Sequence, residues 1–596
     1  MAVRIRRLRT PAAVGALMVL GACALATAAS AKEYQPINPT LVSRTITLTG
    51  NDLTIDQVIQ VARYGAKVKL SPEAKQRNLD TFNLMNEGAA EGMAIYLFNR
   101  NSGAGREIVR FTGDPMSPEN RPKLEAQALA EFKNGSDESD EHGPEFMDED
   151  VVRAMMVIRA NQMTYLAASR AMMQGLIDLI NADITPVMRS RAGTGEAQGP
   201  SAGAMDAAMV GAGEAYYHGV RMSASEALQK AGLQPIQPGP GDNTMGSVNS
   251  DVAGLSAILV EDARRYLDWV DLAYAVDLNG MNSSITPLFM PVQLSRPYKW
   301  INWDSARVLD MLKGSYLFDD DKTRIIQDPE SMRAGYVRQG SAWEEWGNLR
   351  DAVTIQMNGT EHNPVTLVNA SPRDSWELST PQAMKYYVKG SAANNNKHGF
   401  IFSNANWDPY PLSNRLESFT IALANLDVAV MLRQERFSST FFTVVRAQDI
   451  LSAGGAQLAL GGGPGWSTHE VWQTIQGLIN PVPPEGYSAD PEGVEELDAE
   501  SLFKAKRAIQ AIDESWMLVA SDLNTGALWL DVRQAQDANR TFGAAPTAAW
   551  RALRKAGNGP QATLAFIIST PASTFYPGGP AVPGESGGKS STKQTK

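Results

Sequence analysis

Two long segments in which apolar residues recur at alternating intervals of three and four constrain the fold of this chain most strongly. The first contains Leu416, Phe419, Leu423, Leu426 and Val430, and the second contains Ile509, Ile512, Trp516, Val519 and Leu523. This spacing is the period of an amphipathic helix that is buried along one stripe. The chain has 596 residues, 43% of them hydrophobic, and on size alone would divide into several domains. The helical stripes instead predict one large, mainly α-helical body.

The amino terminus has the pattern of a secretory signal. Four arginines between residues 4 and 9 precede an apolar run from Ala12 to Ala29. A short apolar run after a positive segment is typical of a cleaved signal rather than of a membrane-spanning helix. We therefore expect residues 1–31 to be a signal peptide and the protein to be exported.

The only cysteine, Cys23, closes the segment 20–23, which resembles a bacterial lipobox. In a lipobox the cysteine receives lipid and becomes the first residue of the mature chain. Residues 29–31 offer a competing interpretation, an ordinary cleavage after residue 31 that releases a soluble periplasmic protein. We favour a periplasmic lipoprotein with a lipid anchor in the membrane, because the lone cysteine lies where lipidation needs it. After either cleavage the mature chain forms no disulfide.

Charge and motif content exclude several classes of function. The net charge is −11 and the mature chain has no basic patch, which argues against a nucleic-acid partner. The five histidines lack the spacing of a zinc site, so we expect no metal. The Gly-x-Ser-x-Gly pattern occurs at 199–203 and at 584–588, but neither match forms a turn from a predicted strand into a predicted helix. No dinucleotide-binding Gly-x-Gly-x-x-Gly pattern is present either, which leaves hydrolase and dehydrogenase functions without support.

Seven short motifs follow one another in the order found in the histidine, phenylalanine and tyrosine ammonia-lyases. They lie at 48–63, 95–105, 151–161, 186–200, 211–215, 231–235 and 327–333. The chain therefore resembles the aromatic amino acid lyase superfamily. The resemblance implies an ammonia-lyase-like (fumarase/aspartase-type) long helical bundle with a loop-rich amino-terminal region. It also implies a homotetramer whose sites draw residues from several subunits.

The segment 186–200 departs from the family at the residues that matter chemically. There the family has Ala-Ser-Gly, which cyclises and loses water to form a methylidene-imidazolone, the electrophile of these enzymes. The corresponding residues of this chain are Glu196, Ala197 and Gln198. Ala197 has no hydroxyl to lose, and the side chain of Gln198 would hinder ring closure where the family has glycine. We therefore expect this prosthetic group, and any other cofactor, to be absent.

The resemblance also assigns the remaining site residues. Its catalytic positions are Tyr96, Glu196, Ala197, Gln198 and Glu330, and its substrate-binding positions are Asn249, Ser331, Arg333, Asn358, Asn363 and Asn406. Glu330 replaces a catalytic Tyr, and Gln356 replaces a Glu near the substrate amine. Glu361 and His362 replace the first two residues of the family's Thr-Asp-Asn-Pro. Arg333 matches the Arg that grips the substrate carboxylate, with a structural salt bridge as the alternative.

Glu196 and Glu330 are candidates for acid–base chemistry in place of the electrophile. Two carboxyl groups in one enclosed site push their pKa values apart, which suits one as acid and the other as base. The alternative is that both are solvated surface carboxylates. A helix predicted from Ser201 to about Tyr217 begins next to Glu196, and its positive end would favour that carboxylate.

The sequence divides into four parts. After the signal, residues 32–230 form the amino-terminal ammonia-lyase-like region, in which the charged segment 134–144 is expected to be a solvated loop. Residues 231–575 are predicted to form the central and carboxy-terminal helical bundle. Residues 576–596 are rich in Gly, Ser, Pro and Lys and are predicted to be a disordered tail.

Three functions remain open. The first is a divergent lyase that acts on an amino or carboxylic acid without the prosthetic group, with Tyr96, Glu196 and Glu330 in proton transfer. The second is a pseudoenzyme, an exported lipoprotein whose helical body binds a ligand or partner. The third is a true methylidene-imidazolone enzyme in which Ser201 supplies the serine. A resemblance of fold does not separate the first two, because function resides in sites rather than folds.

Overall fold

The computed structural model describes residues 36–135, 141–192, 199–244, 249–447, 449–450, 466–479, 497 and 499–585. The predicted signal peptide and Cys23 lie outside these residues. The helices from the amino terminus to residue 281 are α1 (Ile55–Ala62), α2 (Pro72–Ala90), α3 (Arg121–Asn134), α4 (Glu149–Gln162), α5 (Arg170–Asn181), α6 (Gly199–Met209), α7 (Ala224–Lys230) and α8 (Ser250–Met281). The helices that follow are α9 (Met290–Leu294), α10 (Lys299–Met311), α11 (Glu330–Arg333), α12 (Gly335–Asn358), α13 (Pro381–Met384), α14 (Tyr410–Arg436), α15 (Thr440–Thr443), α16 (Trp466–Leu478), α17 (Ser501–Gln536), α18 (Ala544–Ala556) and α19 (Pro560–Ser569).

Four long helices, α8, α12, α14 and α17, pack against one another and form the bundle. The predicted stripe on α14 is buried throughout, and on α17 it is buried except for the half-buried Ile509. The predicted mainly α class and the long helical bundle are therefore confirmed. No helix among the described residues combines the length and apolar character needed to cross a membrane.

The amino-terminal region and the bundle share one hydrophobic core, which extends from Ile46 to Ala572. Helix α4 packs directly on α8, and the approach is close at Gly254. A Cβ atom there would lie 2.7 Å from Met155 Cγ and 2.8 Å from its backbone nitrogen, so only glycine fits. This contact places the middle of α4 beside the beginning of α8.

The strands are short and lie at the edges of the helical body. They are β1 (Thr45–Leu48), β2 (Lys67–Leu70), β3 (Glu141–Phe146), β4 (Ile184–Pro186), β5 (Arg189–Ala192), β6 (Glu214–Tyr217), β7 (Val220–Ser223), β8 (Val365–Val368), β9 (Tyr387–Val388) and β10 (Gly399–Phe402). They form a parallel pair β1–β2, an antiparallel pair β3–β5 and antiparallel three-stranded sheets in the orders β4–β6–β7 and β8–β10–β9.

Two local predictions in the amino-terminal region are wrong. The helix expected from Ser201 to about Tyr217 ends at Met209, and Glu214–Tyr217 is a strand because it pairs with both β4 and β7. The solvated loop expected at 134–144 gives way at Glu141 to β3, which is held by pairing with β5. Both errors have the same cause, since partners distant in sequence override the local pattern.

The predicted tail at 576–596 is ordered over the ten residues that the structure describes. Tyr576 donates its hydroxyl hydrogen to Asp310 at 2.8 Å, and Arg264 forms an ion pair with Glu585 at 2.9 Å. Trp303 also donates to the carbonyl of Pro580 at 3.2 Å. These contacts hold 576–585 against the bundle, so the prediction of disorder is wrong for this part of the segment.

Two arginines are buried in the bundle core among aspartates. Arg433 lies 3.1 Å from Asp277 and 2.6 Å from Asp522, and Arg307 lies 3.4 Å from Asp271. Burial raises the pKa of Asp277 well above its usual range, with the neighbouring Asp522 charge adding to the effect. The core therefore holds carboxyl groups that favour the protonated form.

Candidate functional site

The predicted site residues fall into two groups at opposite ends of α8. One group surrounds Asn249, immediately before the first residue of α8. The other contacts Tyr274, whose hydroxyl donates to the carbonyl of Met332 in α11. The 24 residues from Ser250 to Tyr274 rise about 36 Å along a helix. One copy of the chain therefore does not bring the two groups into one site.

At the first end, a single carboxyl group joins three elements. Glu361 follows α12, and its Oε1 accepts hydrogen bonds from the Asn249 backbone N–H at 2.7 Å and from Gln162 Nε2 at 2.6 Å. Its Oε2 accepts from Asn249 Nδ2 at 3.4 Å and from the side-chain amide of Gln356. Gln162 ends α4, Asn249 precedes α8 and Gln356 lies in the last turn of α12. We call these four residues the Glu361 cluster.

The Glu361 cluster is buried and contains no cation. Glu361 is 3% exposed, and no lysine or arginine pairs with it in the part of the chain that the structure describes. Burial raises the pKa of Glu361 to about 7, although its hydrogen bonds to Asn249, Gln162 and Gln356 act in the opposite direction. A carboxyl group in this environment exchanges its proton near neutral pH, which is the property required of a general acid or base.

Asn358 lies next to the Glu361 cluster, and its side chain forms hydrogen bonds only with other described groups of the same chain. Its Oδ1 accepts from the backbone N–H of Leu53 at 2.9 Å and from Asn161 Nδ2 at 3.2 Å. Its Nδ2 donates to the Leu53 carbonyl at 2.8 Å and to the Thr354 carbonyl at 3.0 Å. The side chain therefore ties the segment before α1 to the end of α12, and the substrate-binding role predicted for it has no free hydrogen-bonding atom to use.

The residues that follow Glu361 extend this end of the molecule. The buried His362 lies with Nδ1 2.9 Å from the Pro364 carbonyl and with Nε2 3.1 Å from the Thr244 carbonyl. Burial lowers the pKa of His362. Asn363 Oδ1 accepts from the backbone N–H of Asn404 at 3.1 Å, which holds the segment 404–407 against 361–364.

Asn406 and Tyr96 are also at the first end. Asn406 is exposed, and its backbone N–H donates to Asn404 Oδ1 at 2.8 Å. Tyr96 is half-buried, and its hydroxyl accepts from the Gly103 backbone N–H at 3.2 Å. The adjacent Phe98 lies against Gly241, three residues before the Thr244 carbonyl that meets His362. Asn249, Asn363 and Asn406 therefore lie along the segment 404–407, and Tyr96 lies in the loop that packs against Gly241.

Glu196, Ala197 and Gln198 lie outside the described residues, but both flanks of their segment are described. On one side, Lys506 of α17 donates to the carbonyl of Ser190 in β5. Lys506 also acts electrostatically on Asp251 in the first turn of α8. On the other side, α6 begins at Gly199 and is attached to α4 by the buried Arg159–Asp206 ion pair at 2.9 Å. The described residues on the two sides of the segment are therefore attached to α17 and to the last turns of α4.

At the second end, the predicted residues are largely on the surface. Glu330 and Arg333 are exposed, and neither side chain forms a hydrogen bond or an ion pair with the described residues. The Oγ of Ser331 is buried and has no hydrogen-bond partner. Asp328 accepts from the backbone N–H of Ser284 at 2.7 Å, which fixes the segment to the far end of α8. Glu330 is therefore not part of an enclosed site within one chain, and Glu196, its predicted acid–base partner, lies outside the described residues.

Sequence reasoning missed Glu361 and Gln162 as site residues. From the sequence alone, Glu361 is recognisable only as a departure from the family's Thr-Asp-Asn-Pro motif. A charged residue that replaces a small one beside a buried helix end is a signal that could have identified it. Gln162 has no comparable signal, because it follows a run of core residues in α4. Within the described ranges no three His, Cys, Asp or Glu side chains are grouped to hold a metal ion.

Comparisons with known sequences extend over most of the chain. A family model described as aromatic amino acid lyase matches residues 53–555. The chain is 27% identical to histidine ammonia-lyase 2 of Fusobacterium nucleatum over 330 residues, which cover 54% of this chain and 62% of that protein. It is 28% identical to the histidine ammonia-lyase of Treponema denticola over 326 residues, which cover 54% and 61%. The chain thus spans about three fifths of the length of these relatives.

Solved structures match over a larger part of the chain. Ergothionase from Treponema denticola, an ergothioneine-degrading enzyme, aligns with a TM-score of 0.73 at 20% identity over 88% of this chain and 99% of that one. Histidine ammonia-lyase from Trypanosoma cruzi aligns with a TM-score of 0.71 at 16% identity over 89% and 94%. At these identities the likeness shows the fold, which is the ammonia-lyase-like fold that the sequence predicts.

Proposed function

Since the chain belongs to the aromatic amino acid lyase family, we propose that it is an exported, divergent member that binds an amino or carboxylic acid. We propose further that it acts on this ligand as a carbon–nitrogen lyase without a methylidene-imidazolone group. The observation that carries the proposal is the Glu361 cluster. It provides a buried carboxyl group with no counter-ion next to Asn249, a residue that the resemblance assigns to substrate binding.

The residues of the chain do not fit the family's prosthetic group. Glu196, Ala197 and Gln198 supply no hydroxyl at the required position. The alternative donor, Ser201, lies within the helical backbone of α6. Ring closure needs the backbone nitrogen after the serine to approach the carbonyl carbon before it, and a regular helix directs these groups along the axis instead. We therefore derive no step through that group.

In the proposed site the residues of the chain bind the ligand and move protons. Asn249 and Tyr96 at the first end orient the polar part of the ligand. Glu361 exchanges its own proton near neutral pH while it holds Asn249. Glu196 is the candidate for proton transfer to or from the ligand. Arg333 binds a carboxylate through its planar guanidinium, which pairs with two oxygens at once. Because Arg333 lies at the far end of α8, it reaches this site only from another copy of the chain.

A homotetramer with composite sites is therefore part of the proposal. The exposed state of Arg333 and the fully exposed apolar side chain of Ile326 support it, since both would gain partners in an assembly. Sedimentation of the protein without residues 1–31 is expected to give a tetramer. A folded monomer at micromolar concentration would contradict composite sites.

The location of the protein is a separate proposal, because Cys23 and the signal lie outside the described residues. We propose a periplasmic lipoprotein. Cys23→Ser is expected to move the protein from the membrane fraction to the soluble periplasm. Unchanged membrane association would refute the lipid anchor, and cytoplasmic retention of the wild-type protein would refute export.

Two measurements on the mature protein test the proposed function. Its intact mass is expected to equal that of the unmodified sequence, apart from lipid, because Ala197 cannot dehydrate. Loss of two waters near 193–203 would revive the alternative based on Ser201. Titration calorimetry is then carried out with L-histidine, L-phenylalanine, L-tyrosine and ergothioneine. Ammonia release is measured with the three amino acids, and trimethylamine release with ergothioneine, whose amine is trimethylated. Binding with turnover supports the lyase, and the absence of binding to all four compounds would contradict it.

A pseudoenzyme with a binding role is the second candidate, and one observation favours it. The resemblance assigns Asn358 to substrate binding, but both polar atoms of its side chain form hydrogen bonds within the chain itself. A site whose polar groups serve the fold has lost part of its ligand-binding capacity. Binding of a probe compound without ammonia or trimethylamine release, at any pH from 6 to 9, would favour the pseudoenzyme over the lyase.

A further inference from the structure

Among the described residues, the hydrogen-bond donors to the carboxyl group of Glu361 are all N–H groups. The backbone and side chain of Asn249 supply two, Gln162 supplies one and Gln356 supplies one. Four such donors fill the acceptor positions of an ionised carboxylate, which cannot itself donate. The surrounding hydrogen bonds are therefore arranged for the ionised form, while burial without a cation favours the protonated form.

Other ionisable groups on the elements around Glu361 are engaged elsewhere. His362 faces two backbone carbonyls, and Arg159 of α4 pairs with an aspartate of α6. Asp251 Oδ1 accepts from the next backbone N–H in α8, and Asp408 Oδ1 accepts from the N–H two residues along. The protonation state of Glu361 therefore depends chiefly on its burial and on its own amide partners.

Protonation of Glu361 changes the hydrogen-bonding groups that its neighbours must supply. One acceptor position becomes an O–H donor, which needs an oxygen where an N–H group now lies. Gln162 is 1% exposed, and its Nε2 also donates to the Gln356 carbonyl at 2.9 Å, so its amide is held in place. The side chain of Gln356 is half-buried, and a half-turn of its amide would present an oxygen to the new O–H.

Asn249 is the neighbour through which this change reaches the ligand. Its backbone N–H donates to Glu361 Oε1 at 2.7 Å at the first turn of α8. Its Nδ2 donates to the Trp407 carbonyl at 2.5 Å and, over a longer distance of 3.4 Å, to Glu361 Oε2. Glu361 as an acceptor therefore helps to hold Asn249 in place, chiefly through the backbone N–H.

We propose that Glu361 is a positioning residue whose ionised form orients Asn249 for ligand binding. The statement about the ligand rests on the proposed function, because it takes Asn249 as a ligand-binding residue. The statement about orientation concerns the protein alone. Ligand affinity is expected to increase as Glu361 loses its proton, by about tenfold for each unit by which binding lowers its pKa.

Three variants separate positioning from a general effect of charge. Glu361→Gln removes the titrating proton but keeps the shape of the side chain. The double variant Gln356→Glu with Glu361→Gln moves the carboxyl group across one hydrogen bond, away from Asn249. Asp427→Asn is the matched control, because Asp427 is also buried with its pKa raised to about 7, and it is held by Tyr266 and Ser515 within the bundle.

The first measurement uses the probe compounds that bind the wild-type protein, titrated by calorimetry from pH 6 to pH 8. The wild type and Asp427→Asn are expected to show the same rise in affinity with pH. Glu361→Gln and the double variant are expected to lose it. A rise that persists in Glu361→Gln, or that returns in the double variant, would overturn the proposal.

The second measurement needs no ligand. Hydrogen exchange of the peptide 249–255 is compared at pH 6 and pH 8 in the wild-type protein and in Asp251→Asn, because Asp251 lies in this peptide and its own pKa is also raised to about 7. After correction for the intrinsic effect of pH, both proteins are expected to show greater protection at pH 8 than at pH 6. Equal protection at the two pH values would overturn the positioning role. If protection changes as expected but no probe compound binds, the proposed function fails while the orientation of Asn249 by Glu361 stands.

Discussion

The two ends of α8 satisfy their polar groups in opposite ways. At the first end, Glu361 and Asn358 are surrounded by amide and backbone groups of the same chain. At the second end, Glu330 and Arg333 are exposed and form no hydrogen bond or ion pair with the described residues, although Arg333 acts electrostatically on Asp328. The first end is therefore complete as a folded structure, while the second becomes a binding surface only when something else supplies its partners.

Residues that the family places in one site can therefore serve different purposes. Those at the first end stabilise the fold, while those at the second end are exposed and available for binding. The first end gains stability from every hydrogen bond that its polar groups make, and each of those bonds also fixes a side chain. The second end contributes little to stability, so its residues are free to change without unfolding the protein. Measurements of stability and of binding on variants of each end test whether the two ends differ in this way.

The largest expected effect is on stability at the first end. Glu361→Ala leaves the Asn249 N–H and the amides of Gln162 and Gln356 without their acceptor, and we expect a loss of about 3–5 kcal/mol in the free energy of unfolding. Glu330→Ala at the second end is expected to change it by less than about 0.5 kcal/mol. Denaturant unfolding of both variants tests this, and similar losses would remove the distinction between the ends.

A somewhat smaller effect is expected from pH. Burial raises the pKa of Glu361, Asp251 and Asp427 to about 7, above the values of about 4 in an unfolded chain. A raised pKa contributes stability that is full below pH 4 and is lost as pH rises through 7. The contribution of these groups to the free energy of unfolding is therefore expected to fall between pH 5 and pH 8, at about 1.4 kcal/mol per unit of pKa difference for each group.

Unfolding of the wild type and of Asp427→Asn across this pH range checks the assignment. The variant is expected to show a shallower decline because it lacks one of the titrating groups. Stability that rises steadily from pH 5 to pH 8, or an unchanged slope in Asp427→Asn, would show that these carboxyl groups ionise near their usual values.

The smallest effect is expected for ligand binding at the second end. Arg333→Lys replaces a planar guanidinium with a point charge, and we expect affinity for a carboxylate ligand to fall by about 1–3 kcal/mol without loss of stability. Arg338→Lys, another exposed arginine, is the matched control. Calorimetry on the assembled protein provides the measurement, and equal affinities for wild type and Arg333→Lys would make Arg333 a structural residue.

The helical fold is predictable from this sequence where burial repeats along one element. Leu416 and Val430 lie four turns apart on one stripe of α14, and both are fully buried. Prediction fails where pairing with a distant segment decides the structure, as for the strands at 141–146 and 214–217. It also fails at 576–585, since a segment rich in glycine and proline becomes ordered when ion pairs and hydrogen bonds anchor it.

The site is predictable only where the family's residues are kept. Motif order locates Asn249, Asn363 and Asn406, and the structure brings them together. It cannot reveal that Asn358 serves the fold, because that depends on the backbone of Leu53, which lies 305 residues away in the chain. Nor can it reveal the environment of Glu361, whose raised pKa arises from burial by elements that only the folded chain assembles.

The length of α8 has a genetic consequence. If Asn249 of one copy and Arg333 of another complete each site, a chain altered at Asn249 and a chain altered at Arg333 are each defective alone but carry different intact halves. In mixed assemblies, some sites combine the two intact halves, so co-expression of the two defective alleles restores part of the activity. Two substitutions in the same half do not complement each other.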